Sequence, residues 1–270
     1  MRPHSPRAAR FLASAALAGI LALSAAGCSS TGGTDTTGSF ASSSGPRSDA
    51  DWRKEADQWG ERYRSNPGDP EAAMQYAQAL RATAQRAQAA AVLEQASIQN
   101  PQNKTLLGAY GRALADVGSY TQALEVLGRA HTPDQPDWRI LSAQGAVLDQ
   151  MGRHADAQRH YASALKMMPN DPAVLSNLGL SYALSKDLKR AETTLRRAIE
   201  QPGVAPKARQ NLALVVGLQG RFAEAENIAR ADLPPDEASA NVAYLRQMLS
   251  EENQRKKIGR AGKPVPGAGT

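Results

Sequence analysis

The order of small, apolar and polar residues along this 270-residue chain obeys one period. Frames opened at residues 70, 104, 138, 172 and 206 stand 34 apart and align the same residue types five times. The eighth place reads Ala77, Gly111, Gly145, Gly179 and Ala213, and the twentieth Ala89, Ala123, Ala157, Ala191 and Ala225. The twenty-seventh reads Ala96, Ala130, Ala164 and Ala198, then breaks at Asp232. Alanine is common here, so the other residues carry more weight. Gly118, Gly152 and Gly220 recur midway through their frames, and Tyr120, His154, Leu188 and Phe222 share the place two residues later. Pro101 and Pro169 close the first and third frames, while Pro136 and Pro202 miss that place by one residue. Each frame therefore predicts two antiparallel helices joined by a tight turn, with small residues where the backbones approach. On this pattern the eighth place meets the twentieth. Leu114, Leu148, Tyr182 and Val216 at the eleventh place, with Leu127, Tyr161 and Leu195 at the twenty-fourth, fill the space between pairs.

No such pair buries its apolar face alone, so the array needs capped ends. Residues 49–64 place Trp52, Ala56, Trp59 and Tyr63 on one helical stripe before Pro67, as the second helix of an incomplete repeat. After "LPPDE", residues 237–256 place Val242, Leu245 and Leu249 on one face of a closing helix. The 34-residue register resembles the tetratricopeptide repeat family. That resemblance implies an all-α fold: a right-handed solenoid of about five helix pairs with N- and C-terminal capping helices, over residues 49–256. The first frame fits least, because Ala84 and Arg86 stand where the glycine and aromatic are expected, and the fifth is irregular near Asp232.

The N-terminal segment obeys different rules. Arg2, Arg7 and Arg10 open the chain, and Phe11 to Ala26 carries no charge, the layout of a secretory signal peptide over residues 1–27. Sixteen apolar or small residues fall short of the roughly 20 that cross a bilayer core. The single cysteine, Cys28, follows directly and has no partner for an internal disulfide. "Ala25-Ala26-Gly27-Cys28" resembles the bacterial lipoprotein processing motif, with Ala25 where the family usually has leucine. The resemblance implies cleavage before Cys28 and lipidation of its sulfur, and Ser29 implies sorting to the outer membrane. A plain secreted protein with an incidental cysteine is the other reading. Residues 28–48, nearly all Ser, Thr and Gly, predict a flexible linker spanning on the order of 25 Å. At the other end, residues 257–270 predict a disordered basic tail.

Charge changes the picture little. The formal net charge is +6, and removal of the first three arginines leaves about +3, much of it in "EENQRKKIGRAGK". No basic and aromatic residues interleave along a strand pattern, so nothing points to nucleic acid. The four histidines include no pair at the three- or four-residue spacing that aligns two metal ligands on a helix, and His154 stands where neighbouring repeats place an aromatic turn residue. No phosphate loop or nucleophile elbow is present. The expectation is a non-enzyme with no metal, cofactor or small-molecule substrate.

In the tetratricopeptide family the first helix of each pair lines a peptide-binding groove. Transferred by register, the early repeats present Glu71, Gln75, Gln78, Arg81, Arg112, Asp116, Arg139, Asp149 and Gln150. Repeats four and five present Ser176, Asn177, Leu180, Leu184, Gln210, Asn211, Leu214 and Leu218. Asparagine amides can bond a passing backbone, and the leucines can receive the apolar face of a helix. The competing reading packs these leucines into the core.

Two stretches, "LSNLGLSYALSKDLKRAETTLRRAI" and "ARQNLALVVGLQGRFAEAENIARADLPPDEASANVAYLRQML", are similar to the TadD family, tetratricopeptide lipoproteins of the tight-adherence (Flp) pilus assembly system. The resemblance implies a non-catalytic, pilotin-like assembly factor on the periplasmic face of the outer membrane, with the pilus secretin or other pilus assembly proteins as partners. A periplasmic scaffold that organises cell-wall or outer-membrane assembly enzymes is the alternative.

Overall fold

Asp69, Asn103, Asp137 and Asp171 stand 34 residues apart, and each caps a helix that begins at the next residue. Their side chains accept from the backbone N–H groups of Glu71, Leu106, Arg139 and Val174, satisfying donors that a helix N-terminus leaves open. The computed structural model describes residues 48–261, with side chains to residue 255. The signal segment 1–27, Cys28, the linker up to residue 47 and the tail from 262 lie outside the described residues.

Among the described residues there are twelve helices and no strand. Helix α1 spans Asp49–Ser65. Five pairs follow: α2 (Pro70–Ala82) with α3 (Arg86–Gln99), α4 (Lys104–Asp116) with α5 (Tyr120–Arg129), and α6 (Trp138–Gln150) with α7 (His154–Met167). The last two are α8 (Pro172–Leu184) with α9 (Leu188–Ile199) and α10 (Pro206–Leu218) with α11 (Phe222–Ala229), before the closing helix α12 (Pro235–Ala261). Consecutive helices pack on each other, and each first helix also touches the first helix of the next pair. No comparable contact joins consecutive second helices, so α2, α4, α6, α8 and α10 line the inner side of the array.

All five pairs turn in the same way. The fifteenth place is left-handed throughout: Ala84 at φ 63°, Gly118 at 81°, Gly152 at 74°, Lys186 at 67° and Gly220 at 84°. The next N–H then returns to the carbonyl five residues back, from Gln85 to Leu80 at 2.8 Å and from Arg221 to Val216 at 3.2 Å. This bond closes the helix end and forces a left-handed residue before it. Ala84 thus makes the first frame a regular repeat, at the cost that any side chain bears in that conformation.

The close approach inside each pair differs in one respect from the spacing argument. A Cβ placed on Gly111 or Gly179 would stand 2.5 Å from Cγ of Leu127 or Leu195, and 3.3 Å from the carbonyl oxygen of Ala123 or Ala191. On Gly145 it would stand 2.6 Å from Cε1 of Tyr161. The eighth place therefore faces chiefly the twenty-fourth, which fills space within a pair rather than between pairs. Only glycine lets Leu127, Tyr161 and Leu195 seat so deeply.

Both ends are covered. Ser48 and Asp51 form a reciprocal capping box that starts α1, whose Ala56 is buried and whose Trp52, Trp59 and Tyr63 pack on the core of the first repeats. In α12, Ala238, Val242 and Leu245 are buried, and Leu249 is half-buried. Leu245 occupies the space that a side chain on Gly217 of α10 would need. The helix continues to Ala261, past residue 256 where the hydrophobic pattern ends. In the irregular fifth repeat, Asp232 accepts both arms of the Arg209 guanidinium at 2.6 and 2.7 Å, replacing an apolar contact with an ion pair. Helix α5 stops at Arg129, four residues before Pro133.

Candidate protein-binding surface

The inner side of the array changes character along its length. In α8 and α10, Leu180, Leu184, Leu214 and Leu218 recur at the ninth and thirteenth places, one helical turn apart, on neighbouring helices. All four are half-buried, and none belongs to a hydrophobic core cluster of the described residues. They form an apolar patch open to solvent on one side. The same places earlier in the chain hold Gln78, Ala82, Arg112, Asp116, Ala146 and Gln150, so the apolar character belongs to the last two repeats.

The asparagines beside this patch are committed to the array. Asn211 is 6% exposed and donates from Nδ2 to Oγ of Ser176 at 3.1 Å, and Asn177 donates to Oγ of Ser142 at 3.3 Å. One amide N–H of each therefore ties successive first helices together, and the buried Asn211 has little left to offer a passing backbone. Gln210 is half-buried and its side chain makes no hydrogen bond with another described residue, which leaves its amide available beside the leucines.

Toward the N-terminal end the wall is polar. Gln75 donates to Glu71 at 2.7 Å, and Arg81 pairs with Asp116 of the next repeat at 2.5 Å. Arg139 lies over the ring of Trp138 at 4.5 Å. Gln78 and Gln150 are exposed. Asp149, which the register assigned to the wall, is instead buried at 9% exposure and fully engaged. It accepts from Ser181 Oγ at 2.8 Å and Tyr161 Oη at 3.1 Å, and meets His154 Nδ1 at 2.8 Å. Three side chains from two helices, α7 and α8, surround a carboxylate that burial alone would disfavour. Burial, and then Asp149, raise the Tyr161 hydroxyl well above its ordinary value. His154 therefore fixes its turn through a polar contact rather than by apolar packing.

His131, in the loop before α6, and His160 of α7 each have a buried Nδ1 without a hydrogen-bond partner among the described residues. Burial, followed by the neighbouring His131, lowers the His160 imidazole below its usual range. No third ligating side chain joins them among the described residues, so they form no metal-binding group there. No described helix is long and apolar enough to cross a membrane.

Comparison with known proteins supports this architecture. Residues 53–130 match the family described as anaphase-promoting complex, cyclosome, subunit 3, and residues 150–213 match a tetratricopeptide repeat family. No curated protein sequence matches the chain. The crystal structure of PilW, a widely conserved type IV pilus biogenesis factor, superposes with a TM-score of 0.62 at 17% identity, over 72% of this chain and 91% of PilW. TTC0263, a tetratricopeptide repeat protein of Thermus thermophilus, gives 0.57 at 22% identity over 66% of this chain and 99% of its own. The APC/C hetero-tetramer Cut9–Hcn1 gives 0.61 at 16% identity, covering 77% of this chain but 40% of the matched chain. Identities this low speak for the fold alone. That fold generally serves as a non-catalytic scaffold for protein partners. Helix pairs at a 34-residue period, a shared left-handed turn and matches to two repeat families make this chain a tetratricopeptide repeat protein.

Proposed function

We propose that this protein is a non-catalytic assembly factor of the TadD type, tethered to the periplasmic face of the outer membrane through lipidated Cys28. On this reading it receives a segment of the pilus secretin, or another pilus assembly protein, on the inner side of its last two repeats. The observation that carries the proposal is the half-buried leucine patch of Leu180, Leu184, Leu214 and Leu218, which contributes to no core cluster. An amphipathic helix laid there would cover leucines at i, i+4 spacing on two neighbouring helices, with the Gln210 amide at its edge. The lone cysteine after a signal-like segment supports the tether, and the serine- and glycine-rich stretch behind it supports a leash. The shared fold with a type IV pilus biogenesis factor is in keeping with a pilus role. Tethering raises the local concentration of groove and partner at one membrane.

Deletion of the gene tests the proposal. Loss of secretin multimers from the outer membrane, restored by the wild-type chain but not by a Leu180→Lys/Leu214→Lys chain of unchanged helicity, is the expected result. Normal multimers and pili in the deletion strain would overturn it. Radiolabelled palmitate should enter the wild-type protein and not Cys28→Ala.

A further inference from the structure

Around Arg112, on the inner wall of the first three repeats, three arginines gather with two aspartates. Arg112 of α4 is half-buried, and no hydrogen bond or ion pair joins its guanidinium to another described residue. Its Nη atoms lie 3.8 and 3.9 Å from the point where a side chain on Gly108 would begin, a point 2.6 Å from Cδ1 of Ile140 on the next first helix. The guanidinium is thus seated beside the close approach of Ile140 of α6 to Gly108 of α4, with no polar contact of its own. Four charged neighbours act on it: Arg81, Asp137, Arg139 and Asp116. Asp116 already receives Arg81 at 2.5 Å, and Asp137 already accepts the backbone N–H of Arg139 at 2.7 Å. Of these three guanidinium groups only that of Arg81 is bonded to a carboxylate; that of Arg139 lies over the Trp138 ring, and that of Arg112 has neither contact.

We propose that Arg112, flanked by Arg81 and Arg139, forms a seat for an acidic side chain of the protein segment bound along the inner wall. This rests on the reading that the inner wall holds a protein segment, and it assigns that segment's chemistry: an apolar face over α8 and α10, and a glutamate or aspartate over α4 and α6. Arginine presents five N–H donors in a planar fork that matches a carboxylate with two parallel bonds. A half-buried guanidinium with no acceptor forgoes those bonds, and an incoming carboxylate supplies them. Burial and the two flanking arginines already hold the Arg112 guanidinium below its ordinary range, so an anion there relieves both penalties. Because the site is partly shielded, its attraction is screened less by salt than that of exposed arginines.

The test is titration of the purified full chain with three capped hexapeptides, followed by NMR of the arginine Nε–Hε groups. Acetyl-hexaglutamate amide offers only side-chain carboxylates, acetyl-hexaglutamine amide offers none, and acetyl-hexaglutamine with a free C-terminus offers only the main-chain carboxylate. The expected result is a saturable shift of Arg112 with the first peptide alone. Arg112→Gln should weaken that binding at least tenfold, Arg112→Lys should restore part of it, and Arg139→Gln should weaken it less than Arg112→Gln. A shift at Arg112 no larger than at exposed Arg53, or equal binding by Arg112→Gln, would overturn the seat. A response to the free C-terminus alone would reassign it to chain-end recognition and likewise overturn the proposal as stated. Leu180→Lys/Leu214→Lys should leave this titration unchanged while abolishing secretin multimers, so failure of the pilus reading and failure of the seat are read separately.

Discussion

Asn211 and Ser176 bond side chain to side chain at 3.1 Å although 35 residues separate them, one more than the repeat length. Asn177 and Ser142 make the same contact at 3.3 Å, and Arg81 and Asp116 form an ion pair at the same separation. Three of the four junctions between successive first helices are thus laced by a bond offset by one residue, the exception being α4 to α6. Replacing Asn211 with alanine leaves the buried Ser176 hydroxyl without this partner, a loss of about 1–2 kcal/mol. Urea unfolding of Asn211→Ala, Ser176→Ala and the double variant should show the pair coupled. Strict additivity of the two single effects would refute the ladder.

The fifth pair lacks the cap that the other four possess. Ala205 stands in the register of Asp69 and Asp171, has an extended backbone at φ −72° and ψ 147°, and precedes a proline as they do. Ala205→Asp should stabilise the protein by about 1 kcal/mol, by accepting a backbone N–H at the start of α10. Thermal melting at neutral pH checks this, and an unchanged or lower melting temperature would contradict the capping account.

Lys186 takes the left-handed place that Gly118, Gly152 and Gly220 occupy elsewhere. A side chain there costs about 1 kcal/mol relative to glycine, so Lys186→Gly should stabilise by that order, and Gly152→Ala should destabilise. Opposite signs for the two variants in chemical denaturation are the expected outcome.

Acid should loosen the last repeats before the first. Glu192 of α9 is pushed up by burial, but bonds from Gln219, Arg221 and Arg196 outweigh this and hold it at about 2. Arg196 and Arg221 also reach Glu224 of α11 at 2.6 and 2.5 Å, so the network joins the fourth and fifth repeats. A depressed carboxyl contributes stability above its ordinary value of 4.5, and that contribution is lost as pH falls from there toward 2. Glu192→Gln should cost about 1 kcal/mol at pH 7, since both arginines are well exposed, and should soften the decline of stability between pH 4.5 and 2. Hydrogen exchange by segment would locate the effect in α9 to α11. Equal acid sensitivity in the variant would reject it.

Local order was legible in the residues themselves. The 34-residue period gave the number of helix pairs, and the glycines at the fifteenth place gave their turns, because a left-handed residue closes the same helix end in every repeat. The caps were also written at that period, in Asp69, Asn103, Asp137 and Asp171, a signal that a search for apolar and small residues passes over. Ala84 shows why the turn could not be read from glycine alone: the backbone hydrogen bond enforces the geometry even where the residue resists it.

What the tertiary structure alone decided is the fate of the polar residues on the inner wall. The period assigned Asn177, Asn211 and Asp149 to the same face as the leucines, and that face is the inner one. Whether their polar atoms meet solvent or a neighbouring repeat depends on the one-residue offset between successive first helices, which leaves no trace in a 34-residue pattern. That offset brings Ser176 to Asn211 and Ser142 to Asn177, while the tilt of α6 against α7 and α8 gathers His154, Tyr161 and Ser181 around Asp149. Periodicity records contacts within a repeat, since those recur identically. Contacts between repeats depend on how two rigid pairs dock, and the docking is fixed only once both surfaces are in place.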